Sequence, residues 1–203
     1  MLKSKPVKIK KEDRYDWMVM PDSYLATALL CCNVLLNSQN NFYTFARQIL
    51  GSSAFKDFRS HHPNYELIRP LIFNFKQGIE LYIKGLAGLF VGEYEFCHDI
   101  REIFEQGIRL AKKESVEKYN FFNNLHKETW IIIQKYYYGN YIPTHTDYGN
   151  PDKMNISERY PRNGSGYDLG NYFSWVTIEK IEEIKKDILA LEKIFAEAKR
   201  KDF

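Results

Sequence analysis

Seven apolar residues near the C-terminus, Ile178, Ile181, Ile184, Ile188, Leu191, Phe195 and Ala198, recur at spacings of three and four, with charged residues between them. Only an α-helix, turning once every 3.6 residues, gathers such a set onto one face, and that face must be buried against another element. The same spacing returns upstream. Leu25, Leu29, Cys32 and Leu36 predict a helix starting at Pro21-Asp22-Ser23, where a side-chain oxygen can cap free N–H groups. Ile72, Phe75, Ile79, Tyr82, Leu86 and Leu89 predict a long helix from about 69 to 91, ended by Gly92. Gly78, Gly85 and Gly88 interrupt its propensity, and their expected benefit is the close approach of a neighbouring helix. Ile100, Ile103, Phe104, Gly107 and Leu110 mark a helix beginning near His98-Asp99. Phe121, Phe122, Leu125, Ile132, Ile133 and Tyr136 mark another beginning near Ser115. A shorter apolar segment covers 42–50, and a connector containing Pro63 covers 54–64. No stretch alternates as a half-buried strand does. The expected fold is therefore all-α: an antiparallel helical bundle of at least five helices, with no sheet of three or more strands.

Two segments depart from helical patterning. Residues 1–20 read as an irregular arm, of which 1–14 hold six basic residues against Glu12 and Asp13. That stretch is +4 in a chain of +3, so the remainder is −1 and offers no broad basic platform for nucleic acid. The arm reads as a solvated tail, or as a contact for an acidic partner. Residues 139–176 are rich in Gly, Asn, Pro, Tyr and Ser, and include seven aromatic residues. A long segment without helical pattern is a functional loop or a disordered one, and its aromatic content favours a loop packed over the bundle. The organisation expected is an arm, 1–20, and one helical domain, 21–203.

Three cysteines make no disulfide framework and read as reduced thiols, which points to the cytoplasm. No apolar run follows the N-terminal lysines as a signal peptide requires. The stretch 79–91 is short and contains Glu80 and Lys84, so no membrane association is expected.

The familiar catalytic motifs are absent: no phosphate-cradling GxxxxGK[ST], no HExxH, no CxxC, no GxSxG. The five histidines show no metal-ligand spacing, so neither a metal nor a cofactor is expected. Glu80 and Lys84, four apart, form either a simple intrahelical pair or a lysine held beside an anion. His98 either packs at a helix start or presents its imidazole to a ligand. Arg159 and Arg162 flank Tyr160-Pro161, where they either pin the loop or form a guanidinium fork for phosphate.

The run Ile79-Glu80-Leu81-Tyr82-Ile83-Lys84-Gly85-Leu86, then Gly92, then Cys97-His98-Asp99-Ile100 resembles the helical hairpin of HEPN domains (higher eukaryotes and prokaryotes nucleotide-binding). Glu158-Arg159-Tyr160-Pro161 resembles an element preceding the last helix in some bacterial relatives of that group. The resemblance covers about residues 69–200. It implies an antiparallel bundle, often a homodimer, and in many members an RNase acting through an Arg-x4–6-His motif. No arginine in this chain precedes a histidine at that spacing, which points away from that enzyme. The expectation is a non-catalytic HEPN-like module that binds a nucleotide, an RNA end or another phosphate-bearing ligand. Lys84, His98, Arg159, Tyr160 and Arg162 would line the groove, with Glu80 in support. The alternatives are an RNA-cleaving toxin or defence nuclease with a non-standard site, and a dimeric helical adaptor for a protein partner.

Overall fold

A computed structural model of the chain describes residues 6–8, 16–37, 67–95, 97–138 and 177–201. Five helices make up nearly all of it: α1 (Asp16–Asn37), α2 (Ile68–Val91), α3 (Ile100–Glu114), α4 (Val116–Tyr137) and α5 (Ile178–Lys199). A short ribbon joins them, β1 (Pro6–Lys8) paired antiparallel with β2 (Glu93–Glu95). The all-α bundle expected from the spacing is present, and among the described residues the ribbon is the only sheet. The segments 42–50, 54–64 and 139–176 lie outside the described residues.

The central element is α2, which packs on each of the other four helices. Its stripe is buried as expected at Ile72, Phe75, Ile79, Tyr82 and Leu86, while Leu89 is half-buried. Two glycines admit α1. A Cβ on Gly78 would stand 2.6 Å from Leu25 Cδ2, and one on Gly85 would stand 2.6 Å from Met18 Sδ. Gly92 ends the helix in the left-handed region, φ 82°, with its N–H on the Gly88 carbonyl. Side-chain caps start the next helices: Asp99 for α3, Ser115 for α4 and Thr177 for α5.

Three expectations need correction. The first helix starts at Asp16, and Pro21 lies inside it. Proline has no N–H for the carbonyl four residues back, that of Trp17. That carbonyl lies against α2 at Gly85, 3.1 Å from where a Cβ would be, so the break in the helical ladder falls at a tight helix contact. Residues 1–20 are accordingly not one irregular arm: 16–20 are helical and 6–8 are a strand, with Lys8 opposite Glu93 in the register. The extended chain leaving Gly92 has backbone groups to satisfy, and the arm supplies their partners. Finally, Ile178 is exposed, because it begins α5 before that helix meets its neighbours, whereas Ile181, Ile184, Ile188, Leu191 and Phe195 are fully buried.

With its start at Asp16, α1 contains the most membrane-like stretch of the described residues. Trp17–Asn37 has a mean hydropathy of 1.5 over its most apolar window, a property shared by core helices of bundles. Here Leu25, Ala28, Cys32 and Leu35 face the core and Leu30 faces out.

Candidate functional site

Lys76, Glu80 and Lys84 stand four apart along α2, so they share a face, and all three are buried. Burying a charge is costly unless it is paired, and the pairing is specific here. Glu80 Oε1 accepts from Lys84 Nζ at 2.8 Å and meets His98 Nδ1 at 2.9 Å. The chain turns back after Gly92, which brings His98 alongside a residue three helical turns before that glycine. Lys76 lies over the Tyr137 ring, 4.7 Å from its centroid, and the Tyr137 hydroxyl donates to the Lys76 carbonyl at 2.6 Å.

His98 is anchored on one side by Glu80, and its side chain stays one-third exposed. With Nδ1 engaged by a carboxylate, any ligand contact of this ring is made through Nε2. The next residue, Asp99, caps α3. Its Oδ1 accepts from the backbone N–H groups of Arg101 and Glu102 at 3.0 and 3.3 Å, and from the Tyr138 hydroxyl at 3.0 Å. Burial and then the Asp99 charge push the Tyr138 phenol well above its ordinary value, so it serves as a neutral donor. Cys97 donates to Glu102 at 3.1 Å, and its thiol is pushed up to about 11, first by burial and then by that hydrogen bond. It is therefore a poor nucleophile at neutral pH. Cys31 and Cys32 are buried free thiols in α1, as read from the sequence.

The sequence named Lys84 and His98 as ligand contacts and Glu80 as support, and the structure brings all three together with Glu80 at the centre. Lys84 is 4% exposed and directs its ammonium to Glu80, so it sets the charge around His98 and does not reach outward. Arg159, Tyr160 and Arg162 lie outside the described residues. Arg101 was not among the candidates read from the sequence, which took its arginines, Arg159 and Arg162, from the long loop. It is exposed at the start of α3, with its guanidinium over two rings, 4.8 Å from the Tyr138 centroid and 5.6 Å from that of Trp130. A separate cleft of about 380 Å³, lined by Glu117, Phe121, Leu125, Glu128, Ile194 and Glu197 among others, contains none of these residues.

No family model, curated protein or solved structure matches the chain. Its chemistry is thus read from its own side chains.

Proposed function

We propose that this chain is a HEPN-like, non-catalytic binding module for a phosphate-bearing ligand, a nucleotide or an RNA end, with His98 at the centre of the site. The observation that carries the reading is the convergence of Lys84 and His98 on one oxygen of the buried Glu80. A buried carboxylate that accepts from an imidazole fixes the ring's orientation and favours Nε2 as the working nitrogen, and Lys84 offsets the carboxylate charge that would otherwise repel an anion. In this reading Arg159, Tyr160 and Arg162 complete the groove from the loop, with guanidinium groups suited to bidentate phosphate contact. A cytoplasmic homodimer goes with it.

Binding of a mononucleotide and of a short RNA, together with thermal stabilisation by phosphate or sulfate, tests this on wild type, His98→Ala and Arg159→Ala. The expected result is binding and stabilisation in wild type and loss of both in the variants. If no anion stabilises the wild type, or the substitutions leave both effects intact, the phosphate reading fails and a protein–protein adaptor becomes the better account.

One observation favours a second reading. A carboxylate at 2.9 Å from His98 Nδ1 is the arrangement that orients a general base, so His98 could instead serve an RNA-cleaving site with Arg159. RNA cleavage by wild type that is abolished in His98→Ala selects this alternative.

A further inference from the structure

Arg101 combines features seldom found in an idle surface arginine. It is exposed, and among the described residues its guanidinium makes no ion pair. It is nonetheless held, because the rings of Tyr138 and Trp130 both lie beneath it at 4.8 and 5.6 Å. Cation–π contact orients a guanidinium through its face and leaves the N–H donors, which point outward in its plane, unspent. The rings are themselves fixed. Tyr138 donates to Asp99 at 3.0 Å, and Trp130 packs against His126 at 5.0 Å and Phe104 at 6.2 Å between centroids. Arg101 follows His98 by three residues, so their Cα atoms are at most about 11 Å apart. Both residues therefore stand at the same place in the bundle, the start of α3.

Three acids neighbour Arg101 in the sequence, Asp99, Glu102 and Glu105. Asp99 Oδ1 accepts from two helix N–H groups and the Tyr138 hydroxyl, and the carboxylate makes no ion pair with the guanidinium among the described residues. Glu102 takes the Cys97 thiol, and Glu105, four residues on and so on the same face of α3, makes no ion pair with the guanidinium among the described residues.

We infer that Arg101 is a direct phosphate contact of the His98 site, a guanidinium fork pre-oriented by Tyr138 and Trp130. The inference rests on the phosphate-binding reading and extends it, because it predicts a ligand with a terminal phosphate group that accepts two parallel hydrogen bonds. A nucleoside without phosphate lacks that group.

The test is calorimetric titration of the full-length protein with adenosine monophosphate and with adenosine. Wild type, Arg101→Gln, Arg101→Lys and His98→Ala are compared, with circular dichroism melts confirming that each variant is folded. The inference expects monophosphate affinity to fall about tenfold or more in Arg101→Gln, the size of one charged bidentate contact, with no full recovery in Arg101→Lys. Adenosine is expected to bind weakly and equally to wild type and Arg101→Gln. If His98→Ala weakens the monophosphate and Arg101→Gln does not, this inference is overturned while the phosphate-binding reading stands. If Arg101→Lys matches wild type, charge alone suffices and the fork is overturned. If wild type binds neither the monophosphate nor short RNA, both fail together.

Discussion

Glu80 concentrates the electrostatic stakes of the core on one side chain. It is about 1% exposed, and the ammonium it faces, on Lys84, is 4% exposed. Pairs of this kind are held less by their net strength than by the penalty of separating them. Glu80→Leu removes the carboxylate that the buried Lys84 ammonium faces and is expected to cost about 3–5 kcal/mol, whereas Lys84→Met leaves Glu80 with His98 and is expected to cost less. The double variant is expected to cost less than the sum by roughly 1–3 kcal/mol, as for charges in direct contact. Urea denaturation of the four proteins measures this, and simple additivity would show that the two side chains do not depend on each other. Part of the site was legible at this scale. The four-residue spacing joins Glu80 to Lys84 within one helix. The contact from Glu80 to His98 crosses eighteen residues and a reversal at Gly92, and no local pattern encodes it. Arg101 had a local signal, its place in the first turn after His98-Asp99, but the two rings that hold it come from α4 and its C-cap, whose packing on α3 only the structure supplies.

Among the elements, the contact between α1 and α2 is set by which side chains are missing. A methyl group at Gly78 would meet the Leu25 side chain at 2.6 and 2.9 Å, and Leu25 is fully buried with little room to yield. At Gly107 on α3 the added methyl would meet the Phe122 ring at 3.2 Å, where a few tenths of an ångström of ring movement suffice. Alanine favours both helices by about 1 kcal/mol over glycine. Overpacking at Gly78 is expected to exceed that gain and leave Gly78→Ala destabilised by about 1–3 kcal/mol. Gly107→Ala is expected to fall within about 1 kcal/mol of wild type, because propensity and a mild clash nearly offset. Thermal or urea unfolding of the two variants ranks them, and a stabilised Gly78→Ala would mean that the helices do not meet so closely. The glycines were readable as a packing signal because they interrupt an otherwise strong apolar stripe. The start of α1 was not, because Pro21 resembles a helix start and Asp16–Met20 carry little stripe of their own. The ribbon was hidden for a related reason: three residues on each side are too short for alternation to register.

Across the whole molecule, one apolar cluster runs through all five helices, from Met18 in α1 to Ala198 in α5. That continuity gives the last helix its weight. α5 packs on α1, α4 and α2, and polar contacts bind it in its first half and at its C-terminal end. The carboxylates of Glu183 and Asp187 receive Lys135 of α4, Asp187 also accepts the Tyr136 hydroxyl at 2.5 Å, and Lys199 reaches Asp22 of α1 at 2.6 Å. The half-exposed ion pairs among these contribute little each, so the apolar stripe must hold the helix. Ile184 sits mid-stripe and is fully buried. Ile184→Asp replaces a packed side chain with a carboxylate that has no partner designed for it, and the loss is expected to exceed about 4 kcal/mol, a large share of the stability of a domain this size. Ile184→Val removes one methylene, keeps the site apolar, and is expected to cost only about 0.5–1.5 kcal/mol. Circular dichroism melts of both separate burial from general sensitivity of the helix. A large fall for the aspartate with a small one for the valine fits a sealed core in which α5 is integral. An unchanged melting temperature for Ile184→Asp would mean that the stripe faces water, and the bundle would then have to close without its last helix.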